Sequence, residues 1–415
     1  MKHFFVVSSL FLFAFLSGLQ AQTNDLTYYI RQALENSPLL KEYQNQMVIN
    51  RLDSLILKAD YKPSVNFSTT NSWAPIVDGF GYDQAITHKG RNSAFLTVRQ
   101  TIIGQEHLKN RMNTYTLDNQ SLQNKKAISE QDLQLAVTTQ YITSYGMMQE
   151  ILFNNDIIQH LEKEGEILKK LTEATLYKQT DYLNFHVALQ QRQLLVSQQK
   201  AEYKNNLALL NYLCGISDTS FVQLEKPDII LQPVLSFDNT LLRQNFIIDS
   251  LKIRNSNALI DYSYRPKLEV FADAGFNSTL DNYSYKHVGA SIGFSLIIPL
   301  YDGGRRQEQH NKLKITELIR KDNQDFSRQQ YRQQLEMLYQ QLDETEKIID
   351  QAQTVITSTQ TLIDAYGKQM QTGDAAITDY MLSINNYMNA KHVITQQNIN
   401  KIQIINQINY WNHEK

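Results

Sequence analysis

Two long segments of this chain contain no proline, and this feature most limits how the chain can fold. They run from residue 104 to about 171 and from residue 304 to about 370. If each segment forms one continuous helix of roughly 67 residues, that helix is about 100 Å long, which exceeds the size of a compact domain. Glycine (15) and proline (7) are scarce throughout, so few turns are expected. The sequence therefore predicts very long helices.

Apolar residues recur every three or four positions within both segments. The clearest series are Val137, Tyr141, Tyr145, Met148 and Leu152, and Tyr331, Leu335, Leu338 and Leu342. This spacing is typical of helices that pack as coiled coils. The remaining positions are rich in Gln, Asn, Lys and Glu, as expected for helices with one hydrated face. We therefore expect long antiparallel coiled-coil helices.

Two shorter regions show the two-residue period of β-strands. In residues 268–276 and 288–298 the even-numbered positions are apolar, whereas most odd-numbered positions are charged, polar or glycine. Strands of roughly 9–11 residues can cross a bilayer when they are tilted. A soluble sheet packed on a core is the alternative, but the polar helices offer little apolar surface to cover it. We therefore favour transmembrane strands in two hairpins, of which the first has the weaker alternation.

The alternation of side chains along a strand places one group of charged residues on the face away from the apolar residues, where they are expected to face a barrel lumen. They are Arg99, Lys267, Glu269 and Asp273. Four strands cannot close a barrel, and an open sheet edge is not tolerated in lipid. Copies of the chain must therefore pool their strands. A homotrimer would form a 12-stranded antiparallel transmembrane β-barrel with four strands from each protomer.

The chain also contains signs of an internal duplication. Thr180-Asp181-Tyr182-Leu183 recurs as Thr378-Asp379-Tyr380-Met381, and in the same register Leu210-Asn211-Tyr212-Leu213 recurs as Ile408-Asn409-Tyr410-Trp411. We predict two internal repeats, residues 22–238 with a hairpin at about 63–102 and residues 239–415 with a hairpin at about 266–300. Each repeat comprises a helix, a strand hairpin, a long helix and a returning helix. Sequence repeats of this kind usually correspond to similar structural units that pack against each other.

Residues 1–21 differ in composition from the rest of the chain. Lys2 and His3 precede an apolar run from Phe4 to Leu16, and small residues lead to Ala21. This pattern is typical of a signal peptide, so we expect an exported protein. Because no cysteine follows the expected cleavage region, lipid attachment there is not expected. The only cysteine, Cys214, is expected to be a small buried hydrophobic residue.

The sequence contains no recognisable catalytic motif. A metal-binding His pair, a phosphate-binding loop and a nucleophile elbow are all absent from it. The net charge of −2 provides no bulk attraction to nucleic acid. We therefore expect no enzymatic activity, no cofactor, no bound metal and no nucleic-acid partner.

Several motifs resemble those of the TolC family of outer-membrane efflux proteins, across essentially the whole mature sequence. They are residues 33–38 (ALENSP), residues 61–63 and 264–268 at the two hairpin entries, residues 298–306 (IPLYDGGRR) and residues 366–385. Residues 298–306 resemble the family's strand-to-helix junction and contain Pro299, Gly303 and Gly304. The first copy departs from this pattern, because Ile103-Gly104-Gln105 stands where the family has its double-glycine junction.

The resemblance implies a trimer in the outer membrane of a Gram-negative bacterium. Its β-barrel would contact outer-membrane lipid and continue into an α-helical barrel, or α-barrel, across the periplasm. Such trimers are exit ducts of tripartite efflux pumps. The implied partners are a periplasmic adaptor (membrane fusion) protein and an inner-membrane RND or ABC transporter.

The resemblance also implies a periplasmic gate and tips at which an adaptor docks. Asp379 matches the first acidic gate position of the family and Asp181 is its counterpart in the first repeat, whereas Leu382 stands at the second acidic position. The alternative is that both Asp residues stabilise a helix N-terminus. The tip candidates are Thr372, Gly373, Asp374 and Thr175.

Other functions remain open for such a chain. It could be the outer-membrane component of a type I protein secretion system. It could also be a non-conducting structural protein of the envelope, or a soluble coiled-coil scaffold. Conductance in a planar bilayer distinguishes a duct from the non-conducting envelope protein. Fractionation with the outer membrane and resistance to SDS at room temperature would exclude the soluble scaffold.

Overall fold

The structure is a computed structural model, and it describes residues 25–83, 90–218, 220, 222–279 and 286–412. The expected signal peptide, residues 1–21, lies outside the described residues. Within them the chain is mixed α and β, as the sequence predicts. None of the described helices combines the length and the apolar character needed to cross a membrane.

The elements of the first half are α1 (Leu26–Asn36), α2 (Pro38–Asp60), β1 (Ser64–Trp73), β2 (Gly90–Ile102), α3 (Gln105–Glu173) and α4 (Gln179–Cys214). A short 3-10 helix (Phe237–Asn239) precedes the elements of the second half, which are α5 (Leu241–Ser263), β3 (Lys267–Thr279), β4 (Val288–Ile297), α6 (Arg305–Thr372) and α7 (Ile377–Trp411). The order helix, hairpin, long helix and returning helix thus occurs twice. We interpret this order as two repeats.

The two long helices are continuous over the proline-free segments. Helix α3 has 69 residues and α6 has 68. At 1.5 Å of rise per residue each is roughly 100 Å long. The returning helices α4 and α7 have 36 and 35 residues. The long helices expected from the lack of proline are therefore present.

The first repeat was expected to begin with a helix, and this helical segment is interrupted. Helix α1 ends at Asn36, Ser37 has a φ of −58° and a ψ of 117°, and Pro38 begins α2. A residue before proline is biased out of the helical region, and proline itself is well suited to the first position of a helix. Pro38 therefore divides the segment into two helices.

The chain forms two compact units, of which the first is entirely helical in its regular structure. It comprises the described residues within Met1–Lys41, Lys126–Leu241 and Ser327–Lys415. One apolar cluster in it contains Tyr29, Val137, Tyr141, Val196, Tyr203, Leu210 and Cys214. A second cluster contains Leu161, Leu168, Phe185, Met370, Tyr380 and Ile384. Burying each large side chain contributes about 1.5–3 kcal/mol.

Buried tyrosines of this unit also fix the segment that follows α4. The hydroxyl of Tyr141 donates to the carbonyl of Glu225 at 2.7 Å, and the hydroxyl of Tyr203 donates to the carbonyl of Val222. Burial raises the pKa of Tyr203 to about 12, so the hydroxyl keeps its proton for this contact. Cys214 is fully buried, and burial raises its pKa to about 12 as well. Its thiol is therefore an inert core group, as the sequence predicted.

The second unit contains the sheet and the helical segments next to it, residues Glu42–Lys125 and Leu242–Phe326. The strands form one antiparallel sheet in the order β1-β2-β3-β4. Strands β2 and β3 have 13 residues each, and β1 and β4 have 10. These lengths are sufficient for tilted strands to span a bilayer.

Candidate functional site: a two-faced sheet and the helix tips

The register of the four strands gives the sheet two chemically different faces. On β2, β3 and β4 the even-numbered residues share one face, and on β1 the odd-numbered residues join them, because Val65 pairs with Val98. This apolar face carries Val65, Phe67, Trp73, Leu96, Val98, Leu268, Val270, Phe276, Val288, Ile292, Phe294 and Leu296. Several of its side chains are largely exposed, for example Ile292 at 87% and Trp73 at 77%.

The opposite, polar face carries the four charged residues that strand parity assigned to a lumen. Arg99, Lys267, Glu269 and Asp273 all lie on it. The guanidinium of Arg99 forms an ion pair with Glu269 at 3.5 Å, between β2 and β3. The hydroxyl of Ser291 donates to the carboxylate of Asp273 at 2.8 Å, between β4 and β3. That this face lines a lumen stays a prediction.

Two phenylalanines on the polar face lie opposite glycines. Phe95 pairs with Gly275, and Phe271 pairs with Gly293. A Cβ atom added at Gly293 would lie 2.6 Å from Cζ of Phe271, and one at Gly275 would lie 2.8 Å from Cδ1 of Phe95 and closer still to the carbonyl oxygen of Ala94. Gly293 therefore leaves room for a neighbouring ring, and Gly275 leaves room mainly for the neighbouring backbone. Sequence reasoning missed these pairs, because the pairing of strands is not visible in an alternation pattern.

The two edge strands carry none of the features that usually prevent edge-to-edge association. Among the described residues β1 pairs only with β2, and β4 only with β3. The sequences of β1 (SVNFSTTNSW) and β4 (VGASIGFSLI) contain no charged residue and no proline. Natural edge strands are commonly protected by Lys, Pro or bulges. Both edges are therefore suited to pair with another strand.

The junction between β4 and α6 contains the predicted turn residues. Gly303 and Gly304 have φ values of +69° and +85°, which glycine adopts without strain. Pro299 lies just after β4, where no sheet hydrogen bond is needed from its nitrogen. The carboxylate of Asp302 accepts from the backbone N–H of Arg306 at 2.7 Å and of Gly304 at 2.9 Å. Those backbone contacts lower the pKa of Asp302, which caps the first turn of α6.

A charged cluster lies beside this junction in the same unit. The carboxylate of Asp261 in α5 accepts from Nη2 of Arg306 at 2.7 Å, and Nε2 of His310 lies 3.0 Å from it. The hydrogen bond from Arg306 lowers the pKa of Asp261, and His310 acts in the same direction. The cluster therefore ties α5 to the start of α6. Sequence reasoning missed it, because Asp261 and Arg306 are far apart in the chain.

The end of α6 has the geometry expected for a glycine tip. Gly373 has a φ of +79°, its N–H donates to Met370 O at 3.2 Å, and the N–H of Asp374 donates to Gln369 O at 3.0 Å. These two bonds form a Schellman motif. The hydroxyl of Thr372 lies 2.7 Å from the carboxylate of Asp374.

The tip after α3 contains no glycine, and Thr175 has a positive φ of +66°. The next residue but one, Tyr177, connects the two tips. Its hydroxyl lies 3.1 Å from the carbonyl oxygen of Met370 and 3.0 Å from that of Ala375. Sequence reasoning did not single out Tyr177. Nothing in the local pattern marks it, because its contacts depend on how the helices pack.

The two gate candidates differ in their surroundings. The carboxylate of Asp181 accepts the backbone N–H of Lys178 at 3.3 Å, at the start of α4. This contact favours the helix-stabilising interpretation of Asp181. Asp379 lies in the first turn of α7 and is exposed, and its carboxylate has no hydrogen-bond or ion-pair partner within the described part of the chain. Asp379 is therefore the better gate candidate of the two.

The described residues contain no group of three or more His, Cys, Asp or Glu side chains arranged to hold a metal ion. What they bring together is a sheet with an apolar and a polar face, joined to very long helices. The combination of a four-stranded antiparallel sheet with helices of 69 and 68 residues defines the class of fold.

Comparison with known proteins identifies this fold. No protein-family profile matches the sequence, and no curated protein matches it. Among solved structures, the chain is similar to CusC, whose crystal structures concern folding and transmembrane channel formation, with a TM-score of 0.77 and 12% identity over 94% of this chain and 92% of that one. It is also similar to the outer membrane protein VceC of Vibrio cholerae, with a TM-score of 0.73 and 12% identity over 94% and 96%.

A third similar structure is the CmeC outer membrane channel of Campylobacter jejuni, with a TM-score of 0.71 and 13% identity over 93% of this chain and 85% of that one. At such low identity the likeness concerns the fold. The chain has the fold of TolC-type outer-membrane efflux channels, and the resemblance found in its motifs is confirmed at that level.

Proposed function

We propose that the chain is the outer-membrane exit duct of a tripartite efflux pump and acts as a homotrimer. Its strands would form a 12-stranded barrel in the outer membrane, and its long helices would form an α-barrel in the periplasm. A periplasmic adaptor and an inner-membrane RND or ABC transporter would deliver small molecules to it. The adaptor would dock at the tips that contain Thr175 and Gly373.

One observation carries most of this proposal, namely the two-faced sheet. Its apolar face leaves Ile292 (87%) and Phe294 (71%) exposed, although such side chains normally lie in a core. A bilayer would cover this face, since lipid tails are as apolar as a protein interior. The polar face would then surround water, which suits Arg99 and Glu269.

The unprotected edges support the oligomer. If β4 of one protomer pairs with β1 of the next, no strand keeps an unpaired edge in the membrane. This pairing can be tested with disulfides in a Cys214→Ala background, since Cys214 is the only native cysteine. Ser68 on β1 and Ser295 on β4 both belong to the polar face.

The cross-linking experiment uses the double variant Ser68→Cys, Ser295→Cys, with Ser291→Cys in place of Ser295→Cys to sample a second register. Within one protomer β1 and β4 are three strand spacings apart, roughly 14 Å, so a disulfide can form only between copies. Closed trimers predict dimer and trimer bands without larger products on non-reducing gels. Each single-cysteine variant is the control and should give no trimer.

Conduction is tested separately with the purified protein in planar bilayers. Stable single-channel currents are expected for a duct. A cross-linked trimer that never conducts would instead favour the non-conducting envelope protein. Co-purification with a transporter that secretes a polypeptide, rather than one that exports small molecules, would favour type I secretion.

A further inference from the structure

The ring of Phe271 leans over the neighbouring strand of the sheet. A Cβ atom added at Gly293 would lie 2.6 Å from Cζ, 3.1 Å from Cε2 and 3.2 Å from Cε1 of this ring. These are the three distal atoms of the ring, so the distal end of the ring lies against Gly293. The ring is half-buried, and part of its surface stays accessible on the polar side of the sheet.

Carboxylates flank this ring on both sides along β3. Glu269 and Asp273 lie two residues before and after Phe271, so all three side chains share the polar face, with neighbouring positions roughly 7 Å apart. Glu269 is partly neutralised by its ion pair with Arg99. Asp273 accepts a hydrogen bond from Ser291, and it has no cationic partner among the residues that the structure describes.

The ring face itself is also unoccupied by any cation of the described chain. Elsewhere in the same unit Arg side chains lie over aromatic rings, as Arg265 does over Tyr262 at 4.3 Å from the centroid. Arg99 is directly opposite Phe271 in the register, but its guanidinium pairs with Glu269 instead. Phe271 and Asp273 thus offer an aromatic face next to an unneutralised carboxylate.

We propose that Phe271, Asp273 and Gly293 form a binding site for organic cations that carry an apolar or aromatic group. A cation over an aromatic face is attracted by the ring quadrupole, and a nearby carboxylate adds a Coulomb attraction. Because Gly293 has no side chain, the ring of Phe271 can lean over the neighbouring strand while part of its surface stays accessible. The site would be present once in each protomer, and it rests on the proposed function in that cargo reaches it through the lumen.

The site can be tested by binding, without any need for transport. The probe is trimethylphenylammonium, titrated into the detergent-purified full-length protein and followed by ligand-observed NMR. Phe271→Leu removes the ring and should weaken binding roughly two- to fivefold. Asp273→Asn removes the charge and should weaken it by about fivefold. Phe271→Tyr keeps an aromatic face and should restore binding to within about twofold of the unmodified protein.

Phe294 supplies the matched control. It is a phenylalanine directly after Gly293 on β4, but it belongs to the apolar face and therefore lies on the opposite side of the sheet from Asp273. Phe294→Leu should therefore change binding of the probe by less than about twofold. Tetramethylammonium lacks the ring and should bind more weakly, but its binding should still depend on Phe271, because the cation itself is attracted to the ring face. An aromatic anion of similar size, benzenesulfonate, should not bind at this site.

Planar-bilayer recordings separate this inference from the proposed function. Reduced block of the open channel by trimethylphenylammonium in Phe271→Leu, at unchanged conductance, would support both. Normal currents together with equal binding by the unmodified protein, Phe271→Leu and Asp273→Asn would overturn the site and leave the duct standing. Specific binding without any current would overturn the duct and leave the site standing.

Discussion

Thr175 and Gly373 occupy the same position in two turns of the same kind. The N–H of Thr175 donates to Thr172 O at 3.0 Å, and that of the following residue, Leu176, donates to Leu171 O at 3.0 Å. Gly373 and the residue after it make the corresponding two bonds at the end of α6. The φ angles are +66° for Thr175 and +79° for Gly373. A β-branched residue thus adopts a left-handed conformation at one tip that glycine adopts at the other.

We predict that Thr175→Gly stabilises the protein. A left-handed conformation costs a residue with a Cβ atom about 1–2 kcal/mol, and glycine removes this cost but adds up to about 1 kcal/mol of chain entropy in the unfolded state. The net gain should be about 0.5–1 kcal/mol in the free energy of unfolding. Denaturant unfolding of the detergent-purified protein, followed by circular dichroism, measures it.

The reverse change at the other tip is the matched control. A Cβ atom at Gly373 would lie 3.8 Å from Cδ2 of Leu176, which is an ordinary contact, so Gly373→Thr tests the backbone conformation alone. We expect it to destabilise the protein by about 1–2 kcal/mol. If Thr175→Gly destabilised the protein as well, the left-handed turn at Thr175 would not be the relevant strain.

These turns illustrate what the sequence could and could not predict. The glycine tip was recognisable, since Gly373 follows a long periodic segment. The equivalent turn at Thr175 was not, because the backbone hydrogen bonds of the Schellman motif can impose a positive φ on a residue that disfavours it. In the same way Pro38 is visible in the sequence, but the helix break before it was missed among otherwise helical residues.

The sheet shows the same division between local and long-range information. The two-residue period assigned Arg99, Glu269 and Asp273 to one face correctly, because side-chain direction in a strand depends only on position parity. Which residues meet across strands depends on the register, which a single sequence leaves open. The contact of Phe271 with Gly293 and the pair of Arg99 with Glu269 therefore required the structure.

The contact between Asp261 and Arg306 should make stability depend on pH in the acid range. The pKa of Asp261 is lowered from its ordinary value of 3.8, chiefly by the hydrogen bond from Arg306. A lowered carboxyl pKa contributes stability above the unfolded-state value and loses it as the pH falls through the folded-state value. Asp261→Asn should therefore lower the Tm at pH 7, and the difference from the unmodified protein should shrink progressively below about pH 4.

Asp53 provides the control for this measurement. It lies in α2 of the same unit and has no ion-pair partner among the described residues. Asp53→Asn should leave the Tm nearly unchanged at pH 7 and at pH 3. A Tm difference for Asp261→Asn that is equally large at pH 7 and pH 3 would show that the carboxylate charge is not the cause.

Removal of the carboxylate is expected to have different effects at the two gate candidates, Asp379 and Asp181. Threefold symmetry would place three copies of Asp379 near one another, where they would attract cations. Asp379→Ala should therefore raise single-channel conductance and weaken block by multivalent cations in planar bilayers. Asp181→Ala, which removes the contact with the N–H of Lys178, should instead reduce stability by about 1 kcal/mol and leave conductance unchanged. Unchanged conductance in Asp379→Ala would remove Asp379 from the gate.

The apolar face predicts how β4 tolerates charge. Ile292 is 87% exposed in the protomer, so lysine there would be harmless if the sheet faced water. If lipid covers this face, Ile292→Lys should cost about 2–4 kcal/mol near the bilayer midplane and reduce the amount of protein in the outer-membrane fraction. Ser295→Lys places the same charge on the polar face of the same strand, opposite Glu269, and should be tolerated. Immunoblots of fractionated membranes, with and without heating in SDS, measure both variants. Equal amounts of the two in the outer membrane would place the apolar face away from lipid.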